Sequence, residues 1–518
     1  MRLTAIATSL LAIACAPEAP PMQLVPMPPR GEPAGPAGGA AGAASGGGLA
    51  GGSAGGASMP VDAGDPADRA PRRWAPPSSP VTHDVDGDLL AVLEPQALQG
   101  ACDAVKRGST DRATRLRCGK WMFFYEGFGT VGVPVPLIDF LQKYYAGYYG
   151  PGFSRMGLVP DPTSTRHLPL GLAPTSGKVG TVSTYAFTCA SCHFGRLPDG
   201  RYAVGYGNLS LDYGKLLGSL GAPLSLSVNP NDMNVHPRLK AELAGPIAAA
   251  RMQSGYQVDM GVTGLSLLGA GSMGALTLQD QERFLALRTG TMDFLTKPLV
   301  DDGVWTVSRV LPLWNLPDAT QRAAAGMPNE LLSWNGGTRS VEEFLAGFVA
   351  FGGSKDTWTP AQLAPLAEYL RTLRAPAPLA PLDAEQVRAG ARLFVTRGCL
   401  DCHEGPSGES ARTYPFELIG TDPAYAAIYN PGPDGKPCCN FPGDASMVTR
   451  QVKAPRMAGL FSQTRFLHNG SVSLDELFCL APRDPSRLEG QRSDGHGVSC
   501  EGLTEAERRA LMAYLRSL

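Results

Sequence analysis

Apolar residues recur at helical spacing in several stretches of this 518-residue chain, and two of those stretches are near-copies. Thr359 to Leu373 reads TPAQLAPLAEYLRTL and Thr504 to Leu518 reads TEAERRALMAYLRSL. In register they share Thr359/Thr504, Ala361/Ala506, Leu366/Leu511, Tyr369/Tyr514, Leu370/Leu515, Arg371/Arg516 and Leu373/Leu518. Each opens on Thr and carries Gln362 or Glu507 three residues on, a capping box that satisfies the first free amides of a helix. Both stretches predict closing helices. After the first, Arg374-Ala375-Pro376-Ala377-Pro378 reads as a stiff linker, and Asp383-Ala384-Glu385-Gln386 caps a fresh amphipathic helix through Phe394. Elsewhere Gly, Pro and Asn punctuate the chain, and runs of alternating β-branched residues are few. The pattern predicts a mainly α, loop-rich protein with a domain boundary near residue 376.

The amino-terminal residues break this pattern. Arg2 precedes a short apolar stretch from Leu3 to Ala14, the size of a signal-peptide core and too short to span a bilayer. Ala12-Ile13-Ala14-Cys15 resembles a bacterial lipoprotein box, which makes Cys15 the candidate for lipidation; cleavage at nearby small residues is the alternative. Either reading predicts export into an oxidising compartment, the periplasm or the outer membrane. Residues 16–80 are rich in Gly, Ala, Pro and Ser, and such a segment buries too little apolar surface to offset its ordering entropy. It is expected to be a disordered tether, followed by folded domains over 81–375 and 376–518.

Lys+Arg 45 against Asp+Glu 47 gives a net charge of -2 with 18% charged residues, so no strong field exists to hold nucleic acid. Apolar runs long enough to cross a membrane are absent from the sequence.

Candidate chemistry enters with the eleven cysteines. Cys189-Ala190-Ser191-Cys192-His193 and Cys399-Leu400-Asp401-Cys402-His403 are both C-x-x-C-H, the attachment sequence of c-type haem. Two thiols on a helical turn can bond the two vinyl groups of one haem, and the next imidazole is directed at the iron. The pattern therefore predicts two covalent haems, with Cys189, Cys192, Cys399 and Cys402 as attachment points and His193 and His403 as axial ligands. A four-cysteine zinc site would leave both histidines unexplained, and a thioredoxin-like role needs a βαβ context that the sequence lacks. Six cysteines remain beyond Cys15, and disulfides are their default in an oxidising compartment. Cys102 with Cys118 and Cys479 with Cys500 are candidate local closures, while the adjacent pair Cys438-Cys439 has pairing with other loops or a metal or redox role open to it.

The stretch from Lys453 to Leu477, KAPRMAGLFSQTRFLHNGSVSLDEL, resembles a signature of the bacterial dihaem cytochrome c peroxidase superfamily, especially the branch similar to rubber oxygenases. That branch shows a Lys-x-Pro-x-hydrophobic start and a Leu-His-Asn-Gly-Ser-Val core. The close from Gly495-His496-Gly497 to Tyr514-Leu515 is similar too, as are Leu313-Trp314-Asn315 and Ser333-Trp334-Asn335-Gly336. The likeness covers roughly residues 120 to 518 and is loose before about Val300. It implies two cytochrome c-like domains, each with one covalent haem, and His468 as the sixth ligand opposite His403. Met457 and, less favoured, Met447 compete for that role, because a methionine in this position is usual in simple cytochromes c. For the His193 haem, His167, His236 and Met273 are weaker distal candidates than an open position, and His83 lies near the tether. The resemblance also implies Trp314 as an electron relay or haem-edge residue, ahead of Trp305 and Trp334, and leaves open a Ca²⁺ ion between domains.

These expectations describe an oxidoreductase with peroxide or dioxygen chemistry at the His193 haem and electron transfer through the His403 haem. A small redox protein or other electron donor or acceptor would be its partner. The rival is a non-catalytic dihaem electron carrier; a sensor or structural lipoprotein that uses haem only as core is a third class. The chain is shorter than typical rubber oxygenases, and their apolar pocket residues find no alignment here, which puts polyisoprene as substrate in doubt.

Overall fold

The computed structural model describes residues 64–212, 216, 309–422, 451–485 and 492–518, apart from 131, 145, 180–181, 337, 352–355 and 357. Of the described residues, 40% are helical and 10% lie in strands. The strands are β1 (Val85–Asp86), β2 (Val133–Pro134), β3 (Leu172–Val179), β4 (Val182–Phe187), β5 (Phe194–Arg196), β6 (Tyr202–Val204), β7 (Tyr414–Pro415) and β8 (Gln451–Val452). They form three small antiparallel sheets with orders β1-β6-β5, β2-β4-β3 and β7-β8.

The fold is therefore mixed α/β, which corrects the expectation of a mainly α protein of two cytochrome c-like domains. The physical reason is local. In β4, Thr184, Tyr185, Ala186 and Phe187 are all buried, so the strand lacks the in-and-out alternation by which half-buried strands are recognised. Outside the β3/β4 pair, each strand is only two or three residues long, too short for any periodicity.

The helices that frame the site are α1 (Arg112–Tyr125), α2 (Cys189–His193), α3 (Val341–Phe351), α4 (Pro360–Leu370), α5 (Ala384–Thr396) and α6 (Glu505–Ser517). Both capping boxes form: Thr359 and Gln362 open α4, and Thr504 and Glu507 open α6, each side chain accepting from the other's backbone amide. Asp383 caps α5 by accepting from the Glu385 and Gln386 amides.

A relation between the halves emerges here that the sequence motifs alone did not reveal. Helix α4 packs across α1, and α6 packs across α5. Each crossing is closed by a glycine. A Cβ on Gly119 would lie 2.1 Å from the Pro365 oxygen and 2.6 Å from Tyr369 Cβ; one on Gly390 would lie 2.0 Å from the Ala510 oxygen and 2.7 Å from Tyr514 Cβ. Four residues after each glycine stands a phenylalanine against the same tyrosine, Phe123 with Tyr369 at 6.2 Å and Phe394 with Tyr514 at 5.3 Å. The two tyrosines are the pair aligned in the near-copies, so a Gly-x-x-x-Phe helix against a Tyr helix occurs twice. In the second half the chain runs almost directly from Phe394 to Cys399. In the first it detours through β2, β3 and β4 before Cys189.

Apolar side chains gather in two cores. One joins Phe123, Phe124, Phe194, Trp314, Leu366, Tyr369 and Ala375; the other joins Phe394, Met457, Phe466, Leu511 and Tyr514. Ala67 and Ala70 belong to the second core, although they lie in the stretch expected to be tether. Asp65 binds Arg388 and Arg392 on α5, each at 2.7 Å. The Tyr514 hydroxyl donates to the Pro71 oxygen at 2.7 Å, and Trp74 donates to the Pro406 oxygen at 3.2 Å under the Arg374 guanidinium. The segment Asp65 to Trp74 is thus packed, and it packs on the second half.

Candidate functional site

The first C-x-x-C-H is α2 itself, held between β4 and β5. Thr188, just ahead of it, donates its amide to the Gly171 oxygen at 2.9 Å and its hydroxyl to the Phe124 oxygen at 3.1 Å. Gly171 has φ +94° and approaches so closely that a Cβ would sit 2.4 Å from the Ser191 backbone, so this contact requires glycine. On the far side, the Asn208 and Gly205 amides donate to the Cys192 and His193 oxygens, both at 2.8 Å. The motif's backbone is fixed from two sides.

Cys192 is buried and Cys189 partly so, and neither is in a disulfide. Burial pushes both thiols up to about 12. A redox-active C-x-x-C needs the opposite shift, toward thiolate. Burial, with the Arg456 charge as a lesser cause, pulls His193 down to about 4, so the ring is neutral at pH 7. Neutral imidazole is the ligating form, and its buried Nδ1 has no hydrogen-bond partner.

The second motif sits on a 3-10 turn, Cys399–Asp401, entered through Gly398 at φ 76°. Cys399 and Cys402 are partly buried and unpaired, and burial raises both thiols, Cys399 to about 11. The loop that follows is shaped to grip the histidine: Gly405 donates to the Glu409 oxygen at 2.8 Å, and the Gly408 oxygen lies 2.5 Å from His403 Nδ1. A carbonyl only accepts, so Nδ1 carries the proton and Nε2 keeps its lone pair. Burial pulls this ring down to about 4, helped by neighbouring His496. Phe394 and His496 flank it, with ring centres 6.0 and 6.3 Å away. Unpaired thiols and neutral, partly buried imidazoles at both motifs, with a fixed tautomer at the second, fit a covalently held haem at each. Among the described residues, no three His, Cys, Asp or Glu side chains converge on one point, so the two cysteine pairs do not come together as a four-cysteine zinc site would require.

Trp314 lies between the motifs and is completely buried. Its Nε1 donates to the Val204 oxygen at 2.7 Å. A Cβ on Gly205, whose amide binds His193, would sit 2.9 Å from the indole; one on Gly459 would sit 2.3 Å from its other edge. The ring therefore touches both halves. Arg456 wraps it, donating to the Trp314 oxygen at 3.1 Å and the Pro312 oxygen at 2.8 Å. Lys453, pulled down to about 7 by burial and Arg456, and Glu409, raised by burial, complete a buried charged group. Sequence reasoning quoted Lys453 and Arg456 only as part of a motif; their signal was two cations inside an apolar run.

His468 is buried beside Trp334 and Phe416, and its Nε2 lies 3.0 Å from the Asp422 oxygen, so that nitrogen donates. The two residues around the motif's glycine, Asn469 and Ser471, both donate to the Arg492 oxygen, at 2.8 and 3.0 Å. Met457 is buried with its side chain against Gly408, on the loop that grips His403 Nδ1. Trp334 is buried and donates to the Arg309 oxygen. His167 is exposed on a loop, and His83 is exposed and bonded to Asp86 at 2.7 Å. Disulfides join Cys102 to Cys118 and Cys479 to Cys500. Cys15, His236, Met273, Trp305, Cys438, Cys439 and Met447 lie outside the described residues.

No family model matches the chain, and no curated protein matches it. Among solved structures, hydrazine synthase of Kuenenia stuttgartiensis is similar, at 18% identity over 41% of this chain and 72% of that one, with a TM-score of 0.25. Similarity at that level carries no argument. Among the described residues, no helix is long and apolar enough to cross a membrane.

Proposed function

We propose that this chain is an exported dihaem c-type oxidoreductase. The His193 haem would take up peroxide or dioxygen, and the His403 haem would exchange electrons with a small redox protein. One observation supports the reading: each C-x-x-C-H presents a neutral, partly buried imidazole beside two unpaired thiols that are raised by burial, away from the thiolate form a redox pair needs.

A bound c-type haem supplies an iron that accepts small oxygen ligands and carries single electrons. The chain's own residues do the rest. His193 and His403 each offer a neutral nitrogen, and Gly408 fixes the tautomer of the second. Trp314 gives an unbroken packed path from Gly205, next to His193, to Gly459 in the other half. Arg456 places positive charge in a dry region, where it favours negative charge on a bound ligand or cofactor carboxylate, and Lys453 beside it, lowered to about 7, can add charge or give up a proton. Lipidation of Cys15 would hold the body at the outer membrane.

The test is a haem count and a ligand titration on the purified full chain. Two covalent haems are expected by pyridine haemochrome and intact mass, falling to one in the Cys189→Ser/Cys192→Ser double variant. One haem should bind carbon monoxide when reduced and respond to hydrogen peroxide. Absence of covalent haem overturns the reading; two haems inert to every ligand reduce it to an electron carrier.

A further inference from the structure

We propose that Arg309 is a positioning residue for His468, fixing the backbone from which that imidazole reaches the iron held by His403. The inference rests on the dihaem reading above, with His468 as the sixth ligand, and deepens it by naming the side chain that sets the ligand in place.

His468 stands at the tip of a tight loop. Phe466 and Val472 pair across its base, the Phe466 amide donating to the Val472 oxygen at 2.7 Å. Leu467, just before the histidine, sits at φ 62°, a conformation uncommon for a residue with a side chain and one that persists only where its surroundings enforce it. Arg309 supplies the enforcement. Its Nε donates to the Leu467 oxygen at 2.8 Å, and its own amide donates to the His468 oxygen at 2.7 Å. One residue thus holds both peptide groups that flank the His468 Cα, and so sets the direction in which the side chain leaves the backbone. A ligand must be kept within about 0.5 Å and 10–20° of its productive placement, a tolerance that a freely turning loop does not meet. The ring has separate restraints, Trp334 and Phe416 beside it and the Asp422 oxygen 3.0 Å from Nε2.

Arg309 is itself immobilised. Nη1 donates to Gln463 Oε1 at 3.0 Å, and the guanidinium lies over the Trp334 ring, 5.2 Å from its centre, and the Phe466 ring, 5.9 Å from its centre. Trp334 donates back to the Arg309 oxygen at 2.9 Å, and the same indole packs against His468. Four residues on, the Leu313 amide donates to the oxygen of Gly205, whose own amide binds the His193 oxygen. A Cβ on Gly207 would fall 2.3 Å from the Val310 oxygen, so the chain that delivers Arg309 lies tight against the first motif's loop.

The charge points the same way. Arg309 is buried, and among the described residues no carboxylate forms an ion pair with it. A leucine or methionine would fill the space between two aromatic rings without the cost of burying a cation. The acceptors of this guanidinium among the described residues, Leu467 and Gln463, both belong to the segment that carries His468.

Low-temperature EPR of the ferric full-length holoprotein and carbon monoxide binding to the reduced one test this, with the haem count by pyridine haemochrome as an independent readout. With both haems attached, His468→Gly should turn the low-spin signal of the second haem high-spin. Arg309→Leu should do the same in large part and open that haem, once reduced, to carbon monoxide; added imidazole should reverse the spin change. Arg309→Lys keeps the charge but not the fork, so it should fall between. Arg322→Leu breaks an ion pair with Glu330 outside this cluster, and should lower the melting temperature while leaving the signal unchanged, which separates lost stability from lost positioning. A low-spin signal lost in His468→Gly but unchanged in Arg309→Leu overturns the inference and leaves the ligand reading standing. One that survives His468→Gly overturns both, and absence of covalent haem shows in the count. If Arg309→Leu does not accumulate, Arg309→Lys decides: carbon monoxide should displace His468 at a concentration roughly tenfold lower than in the unmodified chain, about the weight of one hydrogen bond to a charged group, and an equal concentration overturns the inference.

Discussion

Gly390→Ala probes the crossing that frames the second site. The new methyl would lie 2.0 Å from the Ala510 oxygen, 2.6 Å from its carbon and 2.7 Å from Tyr514 Cβ. Two of those atoms are backbone, so no rotamer change relieves the clash, and α5 and α6 must separate by about 1 Å to restore van der Waals contact. Overpacking costs about 1–3 kcal/mol, and a backbone obstacle belongs at the upper end. Alanine returns about 1 kcal/mol of helix propensity. The net destabilisation is about 2 kcal/mol, which at roughly 2–4 °C per kcal/mol lowers the melting temperature by roughly 4–8 °C. Calorimetry of the holoprotein gives the number. The control is Gly147→Ala, where a Cβ meets nothing within 4 Å. An unchanged or raised melting temperature for Gly390→Ala, at or above that control, would show that the helices do not cross as described.

Other expectations follow from buried charge and from the loops. Lys120 is fully buried between Asp84 at 3.2 Å and Glu94 at 2.6 Å; removing both carboxylates in Asp84→Ala/Glu94→Ala strands that charge and should cost about 3–5 kcal/mol in urea unfolding, more than Lys120→Met costs. Burial raises the Glu126 pKa, so the folded state favours its acid form. The sign is then set: folding is helped below the unfolded carboxyl value and penalised as pH rises through the folded one, so the advantage of Glu126→Gln should appear at pH 7 and vanish near pH 4. A pH-independent difference would contradict it. The Cys479–Cys500 bond spans 21 residues, a loop whose release costs about 3 kcal/mol; Cys479→Ser/Cys500→Ser should lower the unfolding midpoint accordingly and loosen the loop that carries His496, seen as faster amide exchange there.

How legible all this was in the sequence depends on range. Signals that act over a turn or two were readable: the Thr359 and Thr504 capping boxes, the Asp383 cap, both C-x-x-C-H motifs and the two local disulfides. Each rests on side chains within about 20 residues of one another. What depended on long-range approach was not. Gly119 and Gly390 look like ordinary helix-weakening glycines until α4 and α6 are laid across them. The β3/β4 pair hides because one of its strands is buried on both faces. His496 lies in a Gly-His-Gly turn with no periodicity, and nothing in the sequence places its ring beside that of His403, 6.3 Å away between centres. Asp65 to Trp74 carry few apolar groups, and only the arginines of α5 and the Tyr514 hydroxyl reveal that the segment is packed.

That packed segment also decides how the molecule bears force. Chain ahead of residue 64 leads first to Asp65, on the α5 arginines, and then to Pro71, on Tyr514, before it reaches the first core. Tension entering at residue 64 therefore loads the second half, and the Asp65 clasp must peel from α5 before tension passes beyond Trp74. The rupture of those exposed ion pairs would be gentle and reversible, a mechanical fuse ahead of the two helix crossings.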